Sequence, residues 1–284
     1  MTTTKGEAES TRLVTGVFAK RPRAGEVKTR LEPALGAAGA ATFARALLDD
    51  AARRLDEPGL GLELVFAPAE ERDWFAMCFP GHRLTAQRGE GLAARMESWF
   101  EECLGQGPGD ADAGRAELAI AVGSDSPWTS AARVRAAADL LEAGKDVVLG
   151  PDLGGGYYLV GLRRPLPGLF TDITMSTRSM FHETLAWLDK RSLSYALLEE
   201  DYDVDTPEDL RHLRHELAEE AGEGTADAED AEGLEESMEP GEGDTLEWRN
   251  LPDVGAAAHA THRPTPDDPS WPHAVAACLK ELGS

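Results

Sequence analysis

Residues 13–30 read LVTGVFAKRPRAGEVKTR, an apolar run that passes directly into a loop rich in basic side chains. The first seven residues are mostly apolar and β-branched, which predicts a β-strand over 13–19. The chain of 284 residues carries a formal net charge of −24, so a basic cluster is unexpected at this place. The members of the cluster are Lys20, Arg21, Arg23, Lys28 and Arg30.

The negative charge is concentrated near the C-terminal end of the chain. Fourteen acidic residues and no basic one lie within residues 216–247. Without them and the net −1 of residues 248–284, residues 1–215 carry −9. The acidic stretch is rich in Gly and Ala and has too few apolar side chains to offset the entropy of ordering. It predicts the end of a helix and then a disordered linker, and the polar residues 1–11 are also predicted to be disordered.

Residues 248–284 form a tail that differs from the acidic stretch. They contain Trp248, Trp271 and a short segment, HAVAACLKEL (273–282), with one apolar helical face. The segment suits either a mobile tail or a docking helix for this domain, for a second copy or for a protein partner. Helices shorter than about 12–15 residues are marginally stable alone in water. The sequence therefore favours the mobile tail.

Composition argues against several classes of protein. No run of about 18 apolar residues is present, as a membrane span would require, and the N-terminal MTTTKGEAES lacks the apolar core of a signal peptide. The acidic balance argues against nonspecific nucleic-acid binding, which depends on Lys and Arg. Cys78, Cys103 and Cys278 are too far apart for a zinc motif. They fit free thiols of a reducing cytoplasm, which is the predicted location.

Strand-like and helix-like segments alternate along residues 12–215. This alternation predicts an α/β fold with a mostly parallel sheet, and ligands of such sheets bind at the carboxyl ends of the strands. The loops that follow strands should therefore carry the chemistry. The predicted strands are 13–19, 62–68, 119–122, 146–151, 156–162 and 193–199, and the predicted helices are 38–56, 91–104, 130–144, 177–190 and 206–217.

The predicted helix 91–104 is interpreted as a core helix. Its apolar side chains recur at a spacing of three or four residues, and its two aromatic ones fit the core better than a ligand site. These apolar residues are Leu92, Met96, Trp99, Phe100 and Cys103.

The first loop of interest is the basic loop, residues 20–30. Backbone N–H groups of a loop that contains Gly25 can surround phosphate oxygens, and Lys28 and Arg30 supply positive charge. A solvated loop that pairs with surface acids is the alternative, but a position directly after the first strand favours phosphate binding. The P-loop pattern GxxxxGK[ST] is absent.

Two further loops supply carboxylates. Asp125, in GSDSP (123–127), follows a predicted strand, and Asp203 and Asp205 alternate in DYDVDTPEDL (201–210). Alternating residues of an extended chain project to one side, and carboxylates so close repel one another unless a positive charge lies between them. A divalent ion shared by the three would supply that charge, because Mg²⁺ prefers carboxylates together with phosphate oxygens.

Both carboxylate loops also have a structural interpretation. Asp125 could cap the following helix, as Ser126 or Thr129 could. Asp203 and Asp205 could form an Asx-turn ahead of a helix that Thr206 caps and Pro207 begins. The order of the three loops along the chain favours a site for a nucleoside di- or triphosphate.

Six segments of the chain together resemble a known family. It is an uncharacterised bacterial glycosyltransferase-A-like family of the nucleotide-diphospho-sugar transferase superfamily, and it includes arsenosugar-biosynthesis glycosyltransferase-like proteins. The family is related to the molybdenum-cofactor nucleotidyltransferases and to phospholactate guanylyltransferase. The resemblance covers about residues 12–215. The segments are FAKRPRAGEVKTRL (18–31), QRGEGLAARM (87–96), GSDSP (123–127), GPDLGGGYYLVGL (150–162), ITMSTR (173–178) and DVDTPEDL (203–210).

The resemblance implies a three-layer Rossmann-like GT-A fold with a nucleotide pocket and a Mg²⁺ or Mn²⁺ ion. The implied nucleotide-binding residues are Lys20, Arg21, Gly25, Lys28, Arg30, Gly123 and Ser124. The implied metal ligands are Asp125, Asp205 and Asp203, of which Asp125 and Asp205 are the implied catalytic residues. The implied acceptor side consists of Gly155, Gly156, Tyr157, Ser176 and Thr177.

The chain departs from the family pattern at three positions. Gly154 stands where the Asp of GPxxDGGYY is expected, Met175 stands where a Trp is usual, and Gly91 stands where an Asp is common. Loss of the acid at Gly154 could remove an acceptor contact or a catalytic base. Asp152 could replace that acid only through a shift of the loop.

Three functions are compatible with these loops. The favoured one is a metal-dependent glycosyltransferase with a sugar-nucleotide donor, in which the metal neutralises the diphosphate leaving group and the basic loop stabilises the charge that develops there. A nucleotidyltransferase, which releases pyrophosphate, is less favoured because the first loop lacks the pattern LAGGxSxRxGxxK. The third is a catalytically degenerate nucleotide-binding or interaction domain. Gly154 fits that third function, whereas the retained carboxylates argue against it.

Overall fold

The structure, a computed structural model, describes residues 13–105, 116–222, 266, 268 and 271–283. The predicted disordered N-terminus lies outside the described residues, and of the predicted acidic linker only residues 216–222 are described. Within the described part of the chain, no helix is both long and apolar enough to span a bilayer.

Seven strands of the described chain form a single sheet. They are β1 Leu13–Lys20, β2 Leu62–Ala67, β3 Arg83–Ala86, β4 Leu118–Gly123, β5 Val147–Pro151, β6 Tyr157–Leu162 and β7 Tyr195–Leu197. Their order across the sheet is β3-β2-β1-β4-β6-β5-β7. All neighbours pair in parallel except β6, which is antiparallel to both β4 and β5. The predicted α/β fold with a mostly parallel sheet is confirmed.

The described helices are α1 Glu32–Leu55, α2 Arg72–Cys78, α3 Gly91–Leu104, α4 Ala131–Glu142, α5 Met180–Lys190, α6 Pro207–Glu220 and α7 His273–Leu282. Helix α6 begins as its sequence predicts. The Thr206 hydroxyl accepts from the Asp209 N–H at 3.2 Å, and the Asp209 carboxylate accepts from the Thr206 N–H at 2.7 Å. Helix α1 begins six residues before the predicted start and is kinked at Gly36.

Different helices cover the two faces of the sheet, which gives three layers. On one face, α1, α2 and α4 contribute to a first cluster of buried residues that includes Leu48, Phe75 and Val134. On the other face, α3 and α5 contribute to a second cluster that includes Phe100 and Leu188. The predicted three-layer arrangement is therefore confirmed, and Trp99 and Phe100 are core residues as expected.

Two elements, β3 and α2, were not predicted from the sequence. Strand β3 has only four residues, RLTA, and it pairs with β2 alone at the edge of the sheet. Helix α2 has only seven residues. Such short segments carry too little periodicity to be recognised, and it is their pairing and burial in the fold that order them.

Residues 271–283 pack against the rest of the domain, although the sequence favours a mobile tail. Helix α7 contacts α1 and α6. The buried carboxylate of Asp50 accepts from the N–H groups of Ala274 at 3.1 Å and Val275 at 2.9 Å. Trp271 and Val275 are buried. Tertiary burial and this N-terminal cap give the ten-residue helix the stability that it would lack alone.

The apolar face of α7 completes a third cluster of buried residues. This cluster is separate from the two that cover the sheet. It includes Leu31, Phe43, Leu47, Trp128, Val204, Leu213, Trp271, Val275 and Leu279.

Candidate active site

A cleft of about 1180 Å³ lies at the carboxyl ends of β1 and β4, and all three predicted loops line it. This is the edge of a parallel sheet at which ligands bind. The predicted site residues that line the cleft are Lys20, Lys28, Arg30, Gly123, Ser124, Asp125, Gly156, Tyr157, Ser176, Thr177, Asp203 and Asp205.

Strand pairing brings the three loops together. Phe18 of β1 pairs with Gly123 of β4, so the basic loop and the GSDSP loop leave the sheet side by side. The Val204 N–H donates to the Asp125 carbonyl oxygen at 3.2 Å, which joins the third loop to the second. The fold thus brings together Lys28 and Asp205, which are 177 positions apart in the chain.

Lys28 lies between two carboxylates at the centre of this arrangement. Its Nζ is 3.0 Å from Asp125 Oδ1 and 2.8 Å from Asp205 Oδ1. The lysine side chain is only 5% exposed, whereas the two carboxylates are about half exposed. The positive charge that the closely spaced acids require is therefore supplied by a residue of the basic loop.

The backbone of Lys28 is held in an uncommon conformation. Its φ of 47° and ψ of 39° lie in the left-handed region, which non-glycine residues seldom adopt. The next three residues form a 3₁₀ turn that ends at the fully buried Leu31, whose N–H donates to the Lys28 carbonyl oxygen at 2.8 Å. Anchoring of the loop by Leu31 keeps this conformation in place, as is common at functional sites.

The pKa values of Lys28, Asp205 and Asp203 are shifted in different directions. Burial lowers the pKa of Lys28, but the attraction of Asp125 and Asp205 outweighs it and holds the pKa above its ordinary value. Burial raises the pKa of Asp205, but Lys28 outweighs it and holds the pKa below the usual range. Burial, with the nearby carboxylates of Asp152 and Asp125, raises the pKa of Asp203 to about 8.

Two of the three predicted metal ligands converge on one point. Asp125 and Asp205 each place an oxygen within 3.0 Å of the Lys28 ammonium. The third, Asp203, is turned to the Ser126 hydroxyl, from which it accepts a hydrogen bond. The described residues hold no group of three or more His, Cys, Asp or Glu side chains arranged around a common metal position. A converging carboxylate pair nevertheless fits the hard oxygen ligands of Mg²⁺ or Mn²⁺, which take their other ligands from phosphate and water.

Arg21 and Gly25 were predicted to bind the nucleotide, but they do not line the cleft. The Arg21 guanidinium donates to the Glu71 carboxylate at 2.8 Å and lies 5.4 Å from the centre of the Trp74 ring. Arg23 donates to the same carboxylate. The buried acid Glu71 thus directs the Arg21 side chain away from the cleft. The predicted roles of Arg21 and Gly25 in nucleotide binding stay predictions.

The predicted acceptor-side residues come together through a glycine. Gly155, which does not itself line the cleft, accepts from the Phe181 N–H at 2.9 Å and so joins the glycine loop to the start of α5. Its φ is 92°, and a Cβ there would lie 2.2 Å from the Arg178 carbonyl oxygen. Only glycine fits this contact between the glycine loop and Arg178. Gly156, Ser176 and Thr177 all line the cleft.

Substitution of Gly155 by Ala is expected to lower the free energy of unfolding by about 2–5 kcal/mol. About 1–2 kcal/mol of strain at positive φ adds to about 1–3 kcal/mol of steric overlap. Urea unfolding measures the change. Gly59→Ala is the matched control, because Gly59 has a φ of 88° and open space around it. Equal losses in the two variants would contradict the tight contact.

Asp152 lines the cleft close to the position of the missing family acid. Its carboxylate accepts from the N–H groups of Gly154 at 3.0 Å and Asp203 at 3.1 Å. A Cβ on Gly154 would lie 2.6 Å from Asp152 Oδ2, so an acid at position 154 would require the Asp152 carboxylate to move. That Asp152 takes over the role of the family acid stays a prediction.

Arg54 supports the site, although no pattern in the sequence indicated this role. This arginine near the end of α1 is 3% exposed, and its guanidinium donates to the carbonyl oxygens of Pro127 and Ser126. Burial lowers its pKa to about 10. An arginine in the last turn of a helix is ordinarily exposed, so only the fold shows that Arg54 holds the GSDSP loop.

Comparison with known proteins agrees with this architecture. A family model described as "Uncharacterized protein conserved in bacteria (DUF2064)" matches residues 40–177. A crystal structure from Desulfovibrio desulfuricans G20, provisionally named a nucleotide-diphospho-sugar transferase, is 25% identical with a TM-score of 0.67 over 80% of this chain and 98% of that chain. No curated protein matches the sequence. The resemblance that the six segments indicated is thereby confirmed.

Two structures with lower similarity were also found. Molybdopterin-guanine dinucleotide biosynthesis protein A of Archaeoglobus fulgidus is 10% identical, with a TM-score of 0.47 over 73% of this chain and 100% of that chain. Glucosyl-3-phosphoglycerate synthase of Mycobacterium tuberculosis, in complex with Mn²⁺ and UDP, is 12% identical, with a TM-score of 0.42 over 76% of this chain and 82% of that chain. At these values the similarity has no bearing on function.

Proposed function

We propose that this protein is a divalent-metal-dependent transferase that takes a sugar nucleotide as donor and a small molecule as acceptor. The observation that carries the proposal is the convergence of the basic loop with Asp125 and Asp205 in one cleft. The similarity to the Desulfovibrio protein supports the choice of donor.

The donor side of the cleft is defined here as Lys20, Lys28, Arg30, Asp125 and Asp205. Lys20 and Arg30 are exposed at the cleft, where a phosphate can reach them. Their charges would bind the diphosphate and stabilise it as negative charge develops on the leaving group. Asp125 and Asp205 would hold the metal together with phosphate oxygens. A bound Mg²⁺ or Mn²⁺ would act as a Lewis acid on the diphosphate.

The cleft also supports a second reaction, nucleotidyl transfer. Lys20 and Arg30 are exposed at the cleft and can contact the phosphates of a triphosphate as well as those of a diphosphate, which favours this alternative. Analysis of the products distinguishes the two reactions. Glycosyl transfer releases a nucleoside diphosphate, whereas nucleotidyl transfer releases pyrophosphate.

A binding panel tests the proposed donor. Thermal shift and calorimetry on the full chain would compare sugar nucleotides, nucleoside diphosphates and nucleoside triphosphates, each with Mn²⁺, with Mg²⁺ and with a chelator. Stabilisation by sugar nucleotides that disappears with the chelator is the expected result. A folded sample that responds to no nucleotide would contradict both transferase proposals and favour a degenerate domain.

Substitution of Lys28 by Gln is expected to increase the affinity for Mn²⁺ alone by about tenfold and to weaken nucleotide binding. The Lys28 ammonium lies between the two carboxylates that would hold the ion, and its positive charge repels a metal cation. Removal of the ammonium therefore favours metal binding. The same removal takes a cation from the phosphate. Titration followed by electron paramagnetic resonance measures Mn²⁺ binding.

Lys190→Gln is the matched control for Lys28→Gln, because Lys190 is an exposed lysine of α5 outside the cleft. It should leave both affinities unchanged. Equal Mn²⁺ binding by Lys28→Gln and the wild-type chain would show that Lys28 and the metal do not share the carboxylate pair.

A further inference from the structure

The segment QRGEGLAARM (87–96) has no part in the donor side, yet it reaches the cleft. Leu92, Arg95 and Met96 of α3 line the cleft. Their spacing of three and four residues places them on one face of the helix. That face borders the cleft at the N-terminal end of α3, although the sequence predicted that Leu92 would lie in the core.

Exposed apolar surface is concentrated in this cleft. Three large apolar side chains of the described residues are exposed, namely Met77, Leu92 at 42% and Leu153 at 37%. Leu92 and Leu153 both line the cleft, whereas Met77 does not. Exposed apolar side chains within a cleft are typical of a surface that a ligand covers.

Two arginines accompany the apolar surface. Arg95 donates through Nε to the Gly89 carbonyl oxygen at 3.2 Å, which leaves its two terminal nitrogens for a ligand. Arg178 lines the cleft and has no hydrogen bond or ion pair with any other described residue. Residues 87–96 and 173–180 contribute no acid to the lining of the cleft. Neither Arg95 nor Arg178 forms an ion pair with an acid of the described residues.

The two arginine-bearing segments pack on the same buried cluster. Met96, Ile173 and Met180 belong to the second cluster, and Met175 packs against it. The Glu97 carboxylate of α3 accepts from the Gly168 N–H at 3.0 Å. Because the second cluster underlies these segments, they form a wall that is separate from the loops anchored in the third cluster. We call Leu92, Arg95, Met96, Met175 and Arg178 the arginine wall.

We propose that the arginine wall binds the acceptor, and that the acceptor is an amphipathic anion with an apolar body and one carboxylate or phosphate group. The inference rests on the proposed function, because that proposal assigns the donor to the donor side of the same cleft. Arg forms bidentate hydrogen bonds with either kind of oxyanion. The leucine and methionine side chains would cover the apolar body. A neutral analogue would leave the arginines without a partner and bind more weakly.

Three small probes test the inference on the full chain. Phenyl phosphate and phenylacetate each combine an apolar ring with an anion, and benzyl alcohol is the neutral analogue. Saturation-transfer NMR titrations should show that at least one anion binds about tenfold more tightly than the alcohol. The anion that binds more tightly identifies the acid group of the acceptor. Equal binding of all three probes would overturn the inference.

Substitutions locate the bound probe. Arg95→Gln with Arg178→Gln should weaken anion binding about tenfold. The single variant Arg178→Gln, at an exposed side chain, serves if the double variant does not fold. Arg88→Gln is the matched control in the same motif, because Arg88 is 73% exposed, pairs with Glu102 and does not line the cleft. Loss of anion binding in Lys20→Gln with retention in the arginine variants would place the probe on the donor side and refute the inference.

Nucleotide binding separates this inference from the proposed function. The arginine variants should retain metal-dependent nucleotide binding while they lose the anion probe. A wild-type chain that binds the anion through the arginines but binds no nucleotide would refute the proposed donor and leave the anion site standing. A chain that binds nucleotide but no anion would refute the arginine wall alone.

Discussion

Substitution of Trp271 by Ala is expected to lower the free energy of unfolding by about 3–5 kcal/mol, as for other large-to-small changes at buried aromatic residues. The indole ring is 4% exposed and lies 5.9 Å from the Trp128 ring, in an edge-to-face arrangement. Arg53 also donates to the Trp271 carbonyl oxygen. Truncation to Ala would leave a cavity in the third cluster between α1 and α7.

The same substitution should also weaken nucleotide binding, because the third cluster lies beneath the three loops of the cleft. Leu31 follows the basic loop, Trp128 follows GSDSP, and Val204 separates the two acids of the third loop. Loss of packing around these anchors would loosen the donor side. Helix α7 thus acts on the cleft through the cluster that it covers.

Urea unfolding followed by far-ultraviolet circular dichroism measures the loss of stability without relying on tryptophan fluorescence. Trp271→Phe keeps an aromatic ring and should cost less than half as much. His273→Ala, at an exposed position of α7, should have no effect. An unfolding midpoint unchanged by Trp271→Ala would show that α7 does not contribute to the fold.

Substitution of Asp125 by Asn is expected to reduce metal-dependent nucleotide binding by about 100-fold. The change keeps the size of the side chain but removes the charge on one of the two oxygens that converge near Lys28. Even residues that only support a metal ligand cost about 10–100-fold in metal affinity when changed. Loss of a direct carboxylate ligand should have at least this effect.

Calorimetry with the nucleotide from the binding panel, in the presence of Mn²⁺, measures the Asp125→Asn effect. Asp139→Asn is the matched control, because it removes the same charge from an exposed residue of α4 outside the cleft. It should bind like the wild-type chain. Wild-type affinity in Asp125→Asn would exclude Asp125 as a metal ligand and would remove the main support for metal dependence.

The two predictions concern different roles of a side chain in ligand binding. Asp125 would act directly on the ligand, whereas Trp271 acts through packing. Asp125→Asn should therefore leave the unfolding midpoint almost unchanged, since its side chain is 44% exposed. Trp271→Ala should change both stability and binding. Measurement of both properties for both variants separates contact with the ligand from support of the fold.

Local sequence determined the strand-helix alternation and the positions of the three loops. Strands such as β1 and β4 are apolar runs of six to eight residues, and α6 carries its own capping box. These patterns depend on neighbours in the chain and can be read without the fold. The six segments that resemble a known family likewise predicted the architecture, because they occur along this chain in the same order as in the family.

Contacts between distant residues could not be read in this way. The sequence predicted that a positive charge must lie among Asp125, Asp203 and Asp205, and it assigned that charge to a metal. The fold places Lys28 between two of these acids. It also turns Arg21 toward Glu71, although Arg21 and Lys28 look equivalent in the sequence. Side-chain direction in a loop depends on partners that only the folded chain supplies.

The sequence by itself determined the three-layer α/β fold and the three loops at one edge of its sheet. The tertiary structure alone decided which side chains of those loops meet, that residues 271–283 complete the domain, and that Leu92 and Arg95 border the cleft. The physical reason is the range of the interactions. Strand and helix propensity, capping and hydrophobic periodicity act within a few residues, whereas ion pairs and buried clusters join residues that are far apart in the chain, such as Lys28 and Asp205.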